Sequence, residues 1–268
     1  MMRATRKVKR GIGTIREDVN ISIPGGSRIE IKGVQELRLL PIYVEKEVER
    51  QRSLLRIRDI LKERNVSMRE TEVRDLTETF SKCPSKVMMG ALKKGGRVLG
   101  APLPGFAGVL RSPDTKLRLG AEMAQYARTK GVAGIFHSDE LPNYGIEQGY
   151  VDEVRKLFAL GPQDAFVLCA DDVKKAEAAL RAAVSRAYQA LMGVPEETRD
   201  PLPDGSSAYS RPLPGAARMY PETDVPPITL ERERLYRIAS NLPEMPEVRT
   251  ARIASTYGVH EQQARQLV

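Results

Sequence analysis

The chain has 268 residues and a net charge of +8, with 41% apolar residues, 5% aromatic residues and no tryptophan. That length accommodates two compact units, and the apolar content suffices for a core built on Leu, Ile, Val, Ala and Met. No run of about 18 apolar residues occurs, which excludes a membrane-spanning helix, and the basic start has no apolar stretch behind it, so it does not read as a signal peptide.

Past Gly11 and Gly13, two stretches alternate polar and apolar residues: Asp18-Val19-Asn20-Ile21-Ser22-Ile23 and Arg28-Ile29-Glu30-Ile31-Lys32. A period of two predicts strands, and Pro24-Gly25-Gly26-Ser27 between them is turn chemistry, so the pair reads as a β-hairpin. One face carries Val19, Ile21, Ile23, Ile29 and Ile31; the other carries Asp18, Asn20, Ser22, Arg28, Glu30 and Lys32. Pro41 suits the first turn of a helix. Its apolar positions run through Val44, Val48, Leu54, Leu55, Ile57 and Leu61, and it ends near Asn65.

A change of character near Arg69 opens a module of about 120 residues, a normal domain size. It reads as a strand over 72–80, a short helix over 85–94 ended by Gly95-Gly96, and a long strand or hairpin over 97–110. A helix over 115–130 follows, with Asp114 as its cap, then a short strand over 134–137, a helix over 150–160 and a strand over 164–170. Asp171 is the expected cap of the Ala-rich helix that runs to about Met192. After Pro195, a series of prolines from Pro201 to Pro227 predicts a linker, and the chain from Leu230 onward reads as helical with a break at Asn241-Leu242-Pro243.

The phosphate-binding P-loop, nucleophile-elbow, zinc-protease and dinucleotide fingerprints are all absent. Cys83 and Cys169 form no CxxC pair and read as reduced thiols. His137 precedes Ser138-Asp139-Glu140-Leu141-Pro142, where two carboxylates next to a histidine are the ingredients of a metal site. A ligand cluster needs more than one histidine, so the favoured reading is a loop after a strand, capped by Ser138 or Asp139 and stopped by Pro142. The hairpin's polar face is open to two readings: solvated alternation, or, if concave, a hard-oxygen surface for Mg²⁺ and phosphate. The clusters Arg3-Arg6-Lys7-Lys9-Arg10, Lys93-Lys94-Arg97 and Arg249-Arg252 suit phosphate contacts, although for any single one of them solvated surface is the favoured reading.

The segments KVKRGIGTIREDVNISI, GSRIEIKGVQEL, GIFHSDELPNYGI and RMYPETDVPPI, which span nearly the whole chain in order, resemble the E subunit family of archaeal glutamyl-tRNA(Gln) amidotransferases; the first two also resemble the related B subunit of the heterotrimeric form of that enzyme. The resemblance implies an α+β fold: the closing part of a cradle-type catalytic domain over 1–66, an inserted aspartyl-tRNA-synthetase-like (GAD) domain over 67–195, a Pro-rich return to the cradle over 196–229 and the start of a helical tRNA-binding region over 230–268. It implies a subunit that uses ATP and Mg²⁺ to activate the glutamate of misacylated Glu-tRNA(Gln), while an asparaginase-like D subunit supplies ammonia, in a cytoplasmic heterotetramer. Asp18, in the RxDxN pattern, is the implied metal ligand. Asn20, Glu30 and Lys32 on the same face are the candidates for cofactor binding, and Arg249 and Arg252 for tRNA. The family's cradle begins before a segment like this one and its tail extends beyond, so the chain alone is expected to be inactive. The alternative is a tRNA-binding module without chemistry; the hairpin with its long helix, which such a module does not need, argues against it.

Overall fold

The two alternating stretches pair as expected. In the computed structural model, which describes residues 7–9, 11, 13–112, 117–213 and 228–268, strand β1 (Glu17–Ile21) runs antiparallel to β2 (Ile29–Val34), with Val19 opposite Ile31 and Ile21 opposite Ile29. Ile21, Ile29 and Ile31 are buried, whereas Asp18, Asn20 and Lys32 are exposed, which is the predicted alternation. The register slips between Glu17 and Val19, so Asp18 stands at a bulge, and Ser22 and Arg28 fall outside the strands.

Helix α1 (Leu40–Glu63) has Pro41 in its first turn, as the fixed φ of proline allows. Its buried line differs from the apolar one. Tyr43, Glu47, Arg50, Leu54, Ile57 and Leu61 face inward, at alternating steps of four and three residues, while Val44 is exposed. The first half of the inward stripe is therefore charged.

The stretch over 72–80 is strand only at β3 (Arg74–Asp75). The Asp75 carboxylate accepts the Thr77 N–H at 2.9 Å, a local side-chain bond that competes with the ladder and turns the chain. After α2 (Lys86–Lys93), strand β4 (Arg97–Leu103) ends at a turn in which Gly105 has φ +80°. Helix α3 (Leu119–Arg128) is shorter than expected, and Asp114, its expected cap, lies outside the described residues. Strand β5 (Phe136–His137), helix α4 (Gln148–Leu157), strand β6 (Ala165–Asp171) and helix α5 (Val173–Gln189) follow. The cap of α5 is Asp172, not Asp171: its side chain accepts the Lys174 and Lys175 N–H groups, whereas Asp171 ends β6 and accepts the Asp172 N–H.

The expected linker is in part a second β-hairpin. Strands β7 (Glu197–Pro201) and β8 (Ser207–Pro212) pair antiparallel, and β7 adds parallel to β2. Pro201 and Pro212 sit at strand ends, where a missing donor costs little. The result is a mixed sheet of order β1-β2-β7-β8 and an antiparallel sheet of order β3-β4-β6-β5, an α+β arrangement. The second sheet is buried on both faces. Leu99, Ala101, Val167 and Cys169 join the large core with α1, α3 and α5, while Val98, Phe166 and Leu168 join a smaller core with α2 and α4. Cys83 and Cys169, both buried and free, belong to different cores. Burial pushes the Cys169 thiol up to about 12.

Residues 17–213 form one compact unit. In the other, the described residues after Ile228 form α6 (Arg232–Ser240), α7 (Pro246–Tyr257) and α8 (Glu261–Gln266), with the expected break between α6 and α7 and Gly258 at φ +61° closing α7. The motif over 218–227 and the basic residues Arg3, Arg6 and Arg10 lie outside the described residues. No helix among the described residues is long and apolar enough to cross a membrane.

Candidate functional site

The hairpin sets its polar face by register. Asn20 lies opposite Glu30, and Glu30 lies beside Thr198 of β7, so an amide, a carboxylate and a hydroxyl form one row across three strands. The Thr198 hydroxyl donates to Glu30 Oε2 at 3.3 Å. Asp18 and Lys32 belong to the neighbouring row, where the bulge re-aims the chain. Gly33 there has φ +75° and its N–H donates to Asp18 Oδ1 at 2.7 Å. Thus one oxygen of Asp18 is tied to the backbone and the other has no partner among the described residues. Among those residues no group of three or more His, Cys, Asp or Glu is set to hold a metal ion. Two carboxylates and an amide oxygen are nevertheless the donor types that Mg²⁺ takes, and Mg²⁺ commonly completes its shell with waters and phosphate oxygens.

Behind the hairpin lies a constellation that sequence reasoning missed. Six ionic side chains converge from four elements: Glu47 and Arg50 of α1, Glu122 of α3, Arg186 of α5, and Glu197 and Arg199 of β7. All six are buried. Glu122 is the hub. It receives Arg50 Nε at 2.6 Å and Nη2 at 2.9 Å, Arg186 Nη2 at 2.8 Å and Arg199 Nη2 at 3.2 Å. Glu197 binds Arg199 Nη1 at 2.6 Å and Arg50 Nη2 at 3.1 Å, and also accepts the Tyr126 hydroxyl at 2.6 Å. Three guanidinium groups thus meet three carboxylates.

Charge and burial divide the carboxylates. Burial raises Glu122, but Arg50, Arg199 and Arg186 outweigh it and hold the group well below the usual range. At Glu47 burial wins over Arg50 and Arg199, so its pKa is raised, and its Oε2 has no hydrogen-bond partner among the described residues. Burial and the Glu197 charge push the Tyr126 phenol far upward, keeping it a donor. An open cleft of about 410 Å³ runs along this network, with Tyr43, Lys46, Arg50, Glu122, Arg199 and Ser207 among its walls.

The His137 segment is a loop after a strand, as expected, but neither Ser138 nor Asp139 caps its turn. His137 is buried, and its residue is the N-cap of a 3₁₀ turn (Ser138–Glu140), with Glu140 Oε1 accepting the His137 N–H at 3.2 Å. Asp139 is occupied with the Leu110 and Arg111 N–H groups. Burial lowers the His137 pKa despite Glu140 and Asp139. Arg249 and Arg252 both lie on α7; Arg252 is clamped by Glu244 through two bonds of 2.9 Å, while Arg249 is half-buried.

Residues 1–236 match the family model described as the GatB/GatE catalytic domain. The whole chain is 53% identical to the glutamyl-tRNA(Gln) amidotransferase E subunit of Pyrococcus horikoshii, covering 42% of that protein. It is 52% identical to the E subunit of Pyrococcus furiosus and 49% identical to that of Methanocaldococcus jannaschii, covering all of this chain and 43% of each relative. It therefore spans about two fifths of the length of the curated relatives it matches. With a family model covering most of its residues, and with the alternating hairpin and long helix in place, this chain belongs to the GatB/GatE catalytic-domain family.

Proposed function

We propose that the chain is the hairpin-bearing portion of the tRNA-dependent, glutamate-activating subunit of a glutamyl-tRNA(Gln) amidotransferase. The observation that carries the reading is the match to the catalytic-domain family over residues 1–236, inside which the polar hairpin face lies. In this reading Asp18 holds Mg²⁺ through the oxygen not bound to Gly33, with Glu30 and Asn20 as further oxygen donors, and Lys32 meets the phosphates of ATP. When bound, Mg²⁺ supplies charge neutralisation on the phosphate oxygens. The chain's own residues hold and orient; the ammonia comes from an asparaginase-like partner subunit in a heterotetramer.

The domain plan belongs to the same proposal. Residues 1–66 and 196–229 build the cradle, 67–195 are the GAD insertion, and 230–268 begin the helical tRNA-binding region, with Arg249 and Arg252 toward phosphate. Support comes from β7 returning to pair with β2 after the second sheet is complete.

The test uses the full-length subunit with its partner. Asp18→Asn keeps an oxygen for the Gly33 N–H, so the bulge survives, but removes the ligand charge. ATP-dependent formation of the activated ester should be lost, or should need a much higher Mg²⁺ concentration, while tRNA affinity is nearly unchanged. Wild-type ester formation at ordinary Mg²⁺ would show Asp18 to be solvated surface.

A further inference from the structure

A second surface within the unit over residues 17–213 has features that its core packing does not require. Beside β5 an open groove of about 580 Å³ runs between α3, the loop after β4 and the turn that follows His137. Arg111, Arg118 and Arg128 line it, all three exposed. Among the described residues, none of the three has an ion-pair partner and Glu140 is the one acidic residue in the wall. Glu140 itself is turned inward, with one oxygen on the His137 N–H at 3.2 Å and the other 3.7 Å from His137 Nε2.

The opposite wall is aromatic. Tyr144 is 53% exposed and leans on Phe136, with ring centroids 5.5 Å apart at 52°. Its backbone is left-handed, at φ 57°, and the Asn143 side chain accepts its N–H at 2.8 Å. A bulky residue rarely adopts this conformation, so the chain spends conformational energy to hold the ring at the rim. The small residues Gly120, Ala124 and Gly134 also line the groove.

Guanidinium groups recognise phosphate through paired N–H donors, and an exposed ring offers any base a stacking face. We propose that this groove binds a nucleotide unit, its phosphate on Arg111, Arg118 and Arg128 and its base on Tyr144. The proposal involves residues other than the hairpin face and rests on no part of the amidotransferase reading. The nucleotide is either free or part of a single-stranded RNA, since the chemistry is shared.

The whole chain is titrated, by fluorescence anisotropy, with a labelled single-stranded oligoribonucleotide and separately with a fluorescent adenosine monophosphate. Tyr144→Asn removes the ring but keeps a residue that tolerates the left-handed backbone. Arg111→Gln removes one phosphate contact from an exposed position. Arg181→Gln, on the exposed side of α5 beside Glu177, is the control. Both groove variants should bind the oligoribonucleotide about tenfold more weakly or worse, the control should bind as wild type, and thermal melts should coincide. Binding of the mononucleotide that is lost in the same two variants identifies the free nucleotide as sufficient; binding of the oligomer alone identifies RNA. Binding of neither probe overturns the proposal, as does equal weakening in all three variants, which would mean diffuse attraction to a basic surface. If Tyr144→Asn does not fold, Arg111→Gln against Arg181→Gln decides alone.

Discussion

Replacing Glu122 with Gln tests whether the buried network holds the unit together. The amide nearly preserves shape, but the hub loses its charge. Three guanidinium groups then face two carboxylates, and the bidentate bond to Arg50 at 2.6 and 2.9 Å loses one acceptor. Removing one partner of a buried ion pair costs about 3–5 kcal/mol, because the remaining charge stays out of water without compensation. For a unit of this size each kcal/mol shifts the melting temperature by about 2–4 °C, so the loss should be roughly 6–20 °C. Glu47→Gln is the informative contrast. The pKa of Glu47 is raised by burial, so its ionised form is already disfavoured in the fold, and its removal should cost about 1 kcal/mol or less.

The pH dependence separates the two carboxylates further. Glu122 is depressed in the fold, so its contribution is full above its unfolded value near 4.5 and is lost as pH falls toward the folded value. The gap between wild type and Glu122→Gln should therefore narrow in acid. The Glu47 contribution has the opposite sign: the fold holds its proton more tightly, so its contribution is full below its unfolded value near 4.5 and is lost as pH rises through the raised folded value. Urea unfolding followed by far-ultraviolet circular dichroism at several pH values measures all of this. A Glu122→Gln variant within about 1 kcal/mol of wild type at neutral pH, or one less damaged than Glu47→Gln, would refute the reasoning.

Other expectations are smaller in scope. Gly120→Ala would place a Cβ 2.2 Å from His137 Nε2, an overpacking that should cost about 1–3 kcal/mol in a thermal melt and be relieved by His137→Ala in the double variant. Asp172→Ala should cost about 1 kcal/mol by removing the cap of α5, read from urea midpoints at unchanged slope. Binding of tRNA to the chain should be weak and fall steeply between low and moderate salt, given its net charge of +8; filter binding that is indifferent to salt would contradict phosphate contacts.

The hairpin was legible because one of its faces is buried and the other solvated, so period two survives in the letters. The face of α1 was not. Hydropathy selects Val44 and Val48, whereas the inward stripe begins with Tyr43, Glu47 and Arg50. Charged residues normally mark the solvent side, and only partners distant in sequence reverse that rule: Glu122 lies 72 residues from Arg50 and Glu197 lies 147. A signal was present in the four-and-three spacing of Glu47, Arg50, Leu54, Ile57 and Leu61, which continues one stripe through a change of residue type. The second hairpin was hidden for a related reason. Its prolines read as linker, yet proline at a strand end removes no ladder bond, and what recruits β7 is the open edge of β2 and the Arg199–Glu122 pair. The cap of α5 was misread by one position because Asp171 and Asp172 are chemically equal, and only backbone geometry tells strand end from helix start.

Burying six charges is a poor way to gain stability, since well-packed apolar side chains of similar volume do as well or better. What the network does supply is register. Arg50 reaches Glu122 through a two-donor fork and Arg199 through Nη2 alone, and a slip of β7 by one residue against β2 would turn Arg199 and Glu197 outward and take the Glu197 carboxylate away from Arg50 and Arg186. The penalty for that slip is several kcal/mol, far more than a Val or Leu in the same position would impose. The same pairing sets Thr198 beside Glu30 and thereby fixes the row that contains Asn20. The charges behind the sheet thus determine which polar side chains stand together on its front, which explains why the inner stripe of α1 changes from Leu and Ile to Glu and Arg where it meets β7.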